Sequence, residues 1–199
     1  MLIPYKKQPK PPFTNRPLSW SQLSKFQYRP NEWYDHYILG KEQQSSPELL
    51  FGSEIDKKIQ SDPSFLPEIP RYKHLQYELK TEYEGIPLIG YPDALDLDEP
   101  KIRDYKTGRE KWDKARADKT GQLSMYLLMI WQIHKIKPED FQCFIDWMPT
   151  CIKDRQVSFI EPFKVKTIET KRTMSQIVAF AALLSETRKK MIEYYNRHD

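Results

Sequence analysis

The chain has no apolar run approaching the roughly 20 residues that a bilayer-spanning helix requires. Its opening, Met1 to Phe13, is rich in proline and lysine and lacks the apolar segment of a secretory signal. A cytoplasmic location without a membrane partner is therefore the expectation. Cysteine is nearly absent: Cys143 and Cys151 are too few for a disulfide framework or a four-cysteine metal site, and read as reduced, partly buried thiols. Acidic residues are missing from Met1 to Pro30, where the charged side chains are Lys6, Lys7, Lys10, Arg16, Lys25 and Arg29. There is no internal repeat, no low-complexity segment beyond the proline-rich start, and no helicase or ATPase motif.

What is present fits one domain. A length of 199 residues with 39% hydrophobic and 30% charged side chains can bury a core beneath a well-solvated surface. Residues 1–17 read as a basic, proline-rich arm and residues 18–199 as a single folded domain. The net charge of +4 says little, but its distribution says more. A second basic cluster runs from Lys101 to Lys119 and includes Arg109, Lys111, Arg116 and Lys119 around Trp112. Basic side chains beside an exposed aromatic can track a phosphate backbone and stack on bases; the alternative is a solvated charged face with Trp112 in the core.

Ser19 or Ser21 can cap a short helix through Gln27 that Pro30 stops, and Asn31 to Leu39 reads as another. Ser46-Pro47-Glu48 is a helix start with cap, proline and acid in order; Phe51, Ile55 and Ile59 form the apolar stripe of a helix reaching about Gln60. Tyr77 to Tyr83 alternates with the period of a half-buried strand. Gly85 turns the chain into a strand over Ile86–Asp96, and Glu99-Pro100 into one over Lys101–Lys106, an antiparallel meander. Asp118 to His134 is expected as one helix, Phe141–Met148 and Gln156–Phe163 as strands, and Thr170 to about Arg197 as a closing helix with Ile177, Phe180, Leu184 and Met191 inward. This order predicts an α/β fold with one mixed, five-stranded sheet flanked by helices.

Within it, Asp104 and Lys106 are two apart on a strand and so share a face. Asp93 sits eleven residues earlier, on the neighbouring strand, where cross-strand side chains come within about 5 Å. Carboxylates brought together repel unless a cation neutralises them, and a hard divalent ion such as Mg²⁺ or Mn²⁺ suits that oxygen cluster. A lysine beside such an ion can position water or stabilise charge on a phosphate, the requirement of phosphodiester hydrolysis. Acids and lysines on an exposed strand also form ordinary ion pairs, but Pro92 and Gly90 mark this strand as irregular.

Gly90-Tyr91-Pro92-Asp93-Ala94-Leu95-Asp96, then Ile102-Arg103-Asp104-Tyr105-Lys106-Thr107-Gly108, then Gln122-Leu123-Ser124-Met125-Tyr126 resembles the RecB-like branch of the PD-(D/E)XK nucleases. Upstream, Leu18 to Phe26 resembles that branch's opening "S-x-S-x-L-x-x-F", Phe51 to Asp56 its "LGxxxH" helix, and Glu78 its acid on the first strand. The resemblance covers about Leu18 to Tyr126 and implies a restriction-endonuclease-like core preceded by a helical segment.

It also implies a nuclease acting on DNA, either single-stranded or at duplex ends, most simply an exonuclease of replication, recombination or defence and of phage type. A structure-specific endonuclease and a nucleic-acid-binding module with dead chemistry are the alternatives. Asp93 and Asp104 would bind Mg²⁺ or Mn²⁺ together with the backbone carbonyl of Tyr105, Lys106 would be the catalytic lysine, and Gln122 and Tyr126, four apart on one helix face, would position the phosphate or the lysine. Processivity would come from oligomerisation or a recombination or replication partner. Two departures stand out. Arg29 occupies the place of the iron–sulfur members' first cluster cysteine, so no such cluster is expected. Asp56 replaces the usual histidine and is expected as a third side-chain ligand, with Glu54 as its rival and pairing with Lys57 or Lys58 as the alternative. Asp96 is expected as a turn or sheet-edge acid, with contact to the metal as the alternative.

Overall fold

The computed structural model describes residues 13–42 and 45–198; most of the basic arm, residues 1–12, lies outside the described residues. Phe13 is buried against Trp33 and Tyr195, so the core extends into the segment that the sequence assigns to the arm.

Helix α1 (Trp20–Tyr28) starts where Ser19 accepts a hydrogen bond from the Gln22 N–H, which satisfies one free amide of the first turn. A short α2 (Pro30–Trp33) continues into a wider turn over Tyr34–Ile38. Ser46 caps α3 (Pro47–Ser61) through the Leu49 N–H, and its buried stripe is Ile55 and Ile59. The strands are β1 (His74–Leu75), β2 (Leu79–Tyr83), β3 (Ile86–Gly90), β4 (Ala94–Asp96) and β5 (Lys101–Gly108). Then come α4 (Lys114–Lys119), α5 (Gly121–His134), β6 (Gln142–Lys153), β7 (Gln156–Phe159), β8 (Lys166–Thr170) and α6 (Met174–His198).

The main sheet is mixed. Five strands follow the path β1-β4-β5-β6-β7, and β8 pairs with β6 off that path. Strands β5 and β6 are parallel, with Asp104 opposite Ile145, whereas β4 runs antiparallel to β5. One face carries the larger core, including Ile102, Ile145, Leu123 and Leu127 with Ile177, Phe180, Leu184 and Met191 of α6. The other face packs Tyr105 and Met148 under Ile55 and Ile59 of α3. Arg103 and Asp146, both buried, tie β5 to β6 with nitrogen–oxygen distances of 2.8 and 2.7 Å.

Three expectations need correction. The strand expected over Ile86–Asp96 is interrupted at Tyr91–Asp93, where Pro92 has no N–H to give a ladder. The β2–β3 hairpin thereby forms a separate two-stranded sheet, and only β4 joins the main one. The helix expected over Asp118–His134 divides at Thr120, because the buried Arg172 guanidinium takes the carbonyls of Ala117 and Thr120 and so satisfies the end of α4. Gly121 then restarts the helix against the Trp20 ring, where a Cβ would come within 2.4 Å. Finally, β8 falls in a stretch read as a connection, and the strand before it stops at Phe159.

Candidate active site

Strand β4 covers only the first half of β5, with Ala94 opposite Arg103, so one edge of β5 is open from Asp104 onward. Asp93 closes the ladder in place of backbone. Its Oδ2 accepts the Tyr105 N–H at 2.6 Å. The N–H and C=O of a strand residue point to the same side, so the Tyr105 carbonyl faces that open edge too. Asp104 and Lys106 project from the α5 face, and Asp56 arrives from α3 on the other; the site straddles the sheet edge. Asp56, Asp93, Tyr105, Lys106 and Gln122 line one cleft of about 490 Å³.

Glycines make the approach possible. A Cβ on Gly52 would lie 2.8 Å from Thr107 Oγ1, so its absence lets α3 sit close on β5 and carries Asp56 to the cleft. A Cβ on Gly90 would lie 2.8 Å from the Tyr126 ring.

Asp104 is 1% exposed. Lys106 Nζ stands 2.6 Å from its Oδ2 as an ion pair, yet among the described residues neither carboxylate oxygen receives an aligned hydrogen bond. Burial pushes this carboxyl above the usual range, with Lys106 opposing the shift. For Asp93 burial, reinforced by the negative charge of Asp104, pushes the carboxyl up to about 7. Lys106 also donates to Gln122 Oε1 at 2.9 Å; the Gln122 amide donates to the Tyr126 oxygen at 2.9 Å, and Tyr126 to the Tyr91 carbonyl at 3.1 Å. Burial raises the Tyr126 phenol, with Asp104 adding to the shift, so it remains a donor. This chain of hydrogen bonds holds the lysine in one place.

Of the two rival acids on α3, Asp56 faces the cleft and Glu54 pairs at 2.8 Å with Lys58 on the exposed side. Asp96 accepts from the Asp98 and Glu99 N–H groups and so shapes a turn. Glu78 lies just before β2, bonded to the Tyr91 hydroxyl and paired with Lys80, away from the carboxylates. Arg109 and Lys111 are exposed on the segment after β5. Trp112 is half-buried against the core with the Arg116 guanidinium 4.3 Å over its ring, and Arg116 also pairs with Glu110. Lys119 flanks the same surface depression as Trp112. One residue unmarked by motif or period reaches the site: the Gln76 amide donates to Asp93 Oδ1 at 2.8 Å and lies 3.3 and 3.4 Å from the Asp56 oxygens.

These donors fit a hard divalent cation. The oxygens are carboxylates, two of the acids are pushed up by burial, and Asp104 has no aligned donor of its own. Among the described residues the acids are not gathered into a closed group of three, and donor groups of Gln76 and Lys106 stand against them.

The family model of the PD-(D/E)XK nuclease superfamily matches residues 58–195, a span that includes Asp93, Asp104, Lys106, Gln122 and Tyr126 but not Asp56. No curated protein matches the chain. A candidate exonuclease from Eubacterium rectale shares the fold with a TM-score of 0.64 at 16% identity, covering 92% of this chain and 82% of its own. A phage-related exonuclease from Haemophilus somnus aligns at a TM-score of 0.49 and 12% identity over 89% of this chain and 79% of its own. LHK-Exo, in complex with dAMP, aligns at 0.48 and 14% over 92% of each chain. The match to the family model extends over more than half of the sequence, and the chain belongs to the PD-(D/E)XK nuclease superfamily.

Proposed function

We propose that the protein is a Mg²⁺- or Mn²⁺-dependent deoxyribonuclease that hydrolyses phosphodiester bonds from DNA ends. The observation that carries this reading is the pair of half-buried Asp93 and buried Asp104 beside Lys106 at the open edge of β5. Two carboxyls pushed up by burial, one of them without an aligned donor, are poorly placed for stability and well placed to hold a cation. Asp56, Asp93 and Asp104 would hold it, with the Tyr105 carbonyl as a further oxygen. The bound ion would neutralise charge on the phosphate and make water a better nucleophile. Lys106, fixed by Gln122 and Tyr126, would place one positive charge where negative charge grows on the phosphate during attack. Arg109, Lys111, Arg116 and Lys119 would track the DNA backbone next to the cleft, with Trp112 beside them.

The choice of an exonuclease follows the motif series from Leu18 to Tyr126 and agrees with the name carried by the Eubacterium rectale protein of the same fold. Digestion of 5′- and 3′-labelled linear DNA and of closed circular DNA tests it. Linear DNA should be degraded from one labelled end in Mg²⁺ or Mn²⁺, circular DNA should survive, and EDTA should stop the reaction. Ca²⁺, with looser coordination, should not restore it. Cutting of the circle would favour the endonuclease alternative, and no cutting of any DNA would leave a binding module.

A further inference from the structure

Gln76 follows the two-residue strand β1 with a left-handed backbone, φ 49°, which a residue other than glycine adopts only when its surroundings enforce it. The Gln76 N–H donates to the Asp93 carbonyl at 3.2 Å, and this turn sends the side chain to the cleft rather than along the strand's alternation. We propose that Gln76 is a positioning residue for the cation site, whose amide ties Asp56 on α3 to Asp93 at the head of β4 and sets the spacing of the two carboxylates. The inference rests on the function proposed above.

The two acids come from elements that share no backbone pairing, so something else must register them. Each has a donor of its own. Gln60 Nε2 donates to Asp56 Oδ2 at 2.9 Å from the next turn of α3, and the Tyr105 N–H donates to Asp93 Oδ2. Gln76 is the donor they have in common, at 2.8 Å from Asp93 Oδ1 and 3.3–3.4 Å from both Asp56 oxygens. Acceptors on both sides require the NH₂ end of the amide to face them, and its two protons can serve both. A carboxylate has about four lone-pair sites, so each acid keeps lone pairs for a metal while the amide holds its orientation. Donors in this outer position commonly contribute about 10–100-fold to metal affinity. Without the amide, like charges on α3 and β4 would push the two ligands apart.

Mn²⁺ binding to DNA-free protein, measured by isothermal titration calorimetry, tests the inference independently of turnover. Gln76→Gly removes the amide and eases the left-handed backbone, so the metal-free protein should melt close to the native temperature. Its Mn²⁺ affinity should fall about tenfold or more. Asp56→Ala should also weaken binding, and adding Gln76→Gly to it should cost at most about twofold further, because the spacing of the two acids that the amide sets no longer exists once Asp56 is gone. Should Gln76→Gly not fold, Gln76→Asn replaces it: asparagine tolerates the backbone but is one methylene too short to span both acids. Affinity within about twofold of native, or a full loss persisting in the Asp56→Ala background, would overturn the role of Gln76. Asp104→Ala separates the two levels. Lost binding there with unaltered Gln76→Gly refutes only this inference, whereas retained binding in Asp104→Ala refutes the site itself.

Discussion

Replacing Asp104 by Asn should make the metal-free protein more stable and the enzyme inactive. The carboxylate is 1% exposed, has Lys106 as its one close cation at 2.6 Å, and receives no aligned hydrogen bond among the described residues. Burying a charge costs several kcal/mol, which a single partly exposed lysine offsets only in part. An asparagine of the same shape removes the charge but still leaves a buried polar group, so the net gain is about 1–2 kcal/mol. For a chain of this size that corresponds to a melting temperature higher by about 2–8 °C. Burial raises the Asp104 carboxyl in the folded state above its unfolded value, so the folded protein holds the proton more tightly and this group destabilises increasingly as pH rises. The advantage of Asn should therefore be larger at pH 8 than at pH 5. Thermal unfolding in EDTA measures it. Mg²⁺ should then raise the melting temperature of the native protein and leave Asp104→Asn unmoved, while DNA hydrolysis by the variant falls at least about a hundredfold. A variant that melts lower in EDTA, or cuts DNA at the native rate, would refute the reasoning.

Asp56→Ala should raise the Mg²⁺ concentration needed for half-maximal hydrolysis, whereas Glu54→Ala, which breaks only an exposed pair with Lys58, should not; metal titrations of the two variants decide between them. With Asp93 pushed up to about 7 from an ordinary 3.8, the folded state holds a proton the unfolded chain has lost between roughly pH 4 and 7. Metal-free stability should fall across that window relative to Asp93→Asn, and denaturant midpoints at pH 5 and 8 in EDTA would show it. DNA affinity should decline steeply with salt, and Trp112→Ala should weaken binding only if that half-buried ring meets DNA; unchanged binding by a folded variant would assign it to the core.

The parts of the site that obey a local rule were legible in the sequence. Asp104 and Lys106 share a face because strand side chains alternate, and Gln122 and Tyr126 meet because they are one helical turn apart. Ser46-Pro47 could be read as a helix start. What escaped depends on partners distant in sequence. The break between α4 and α5 is stabilised by Arg172, 52 positions after Thr120, and no local pattern signals it. The strand interruption at Pro92 places Asp93 so that its side chain takes a backbone N–H, a substitution that alternation cannot foretell. Strand β8 has a single half-buried apolar residue, Ile168, among Lys166, Thr167, Glu169 and Thr170, too weak an alternation to mark a strand. Gln76 needs a left-handed turn to reach the cleft, and nothing in its neighbours demands one.

The most direct test of the account is the rate at which purified Lys106→Ala hydrolyses end-labelled linear DNA at saturating Mn²⁺. The account predicts a rate at least about a hundredfold below native, with DNA and Mn²⁺ still bound, because only the charge placed beside the phosphate is lost. Hydrolysis at the native rate by Lys106→Ala would contradict it.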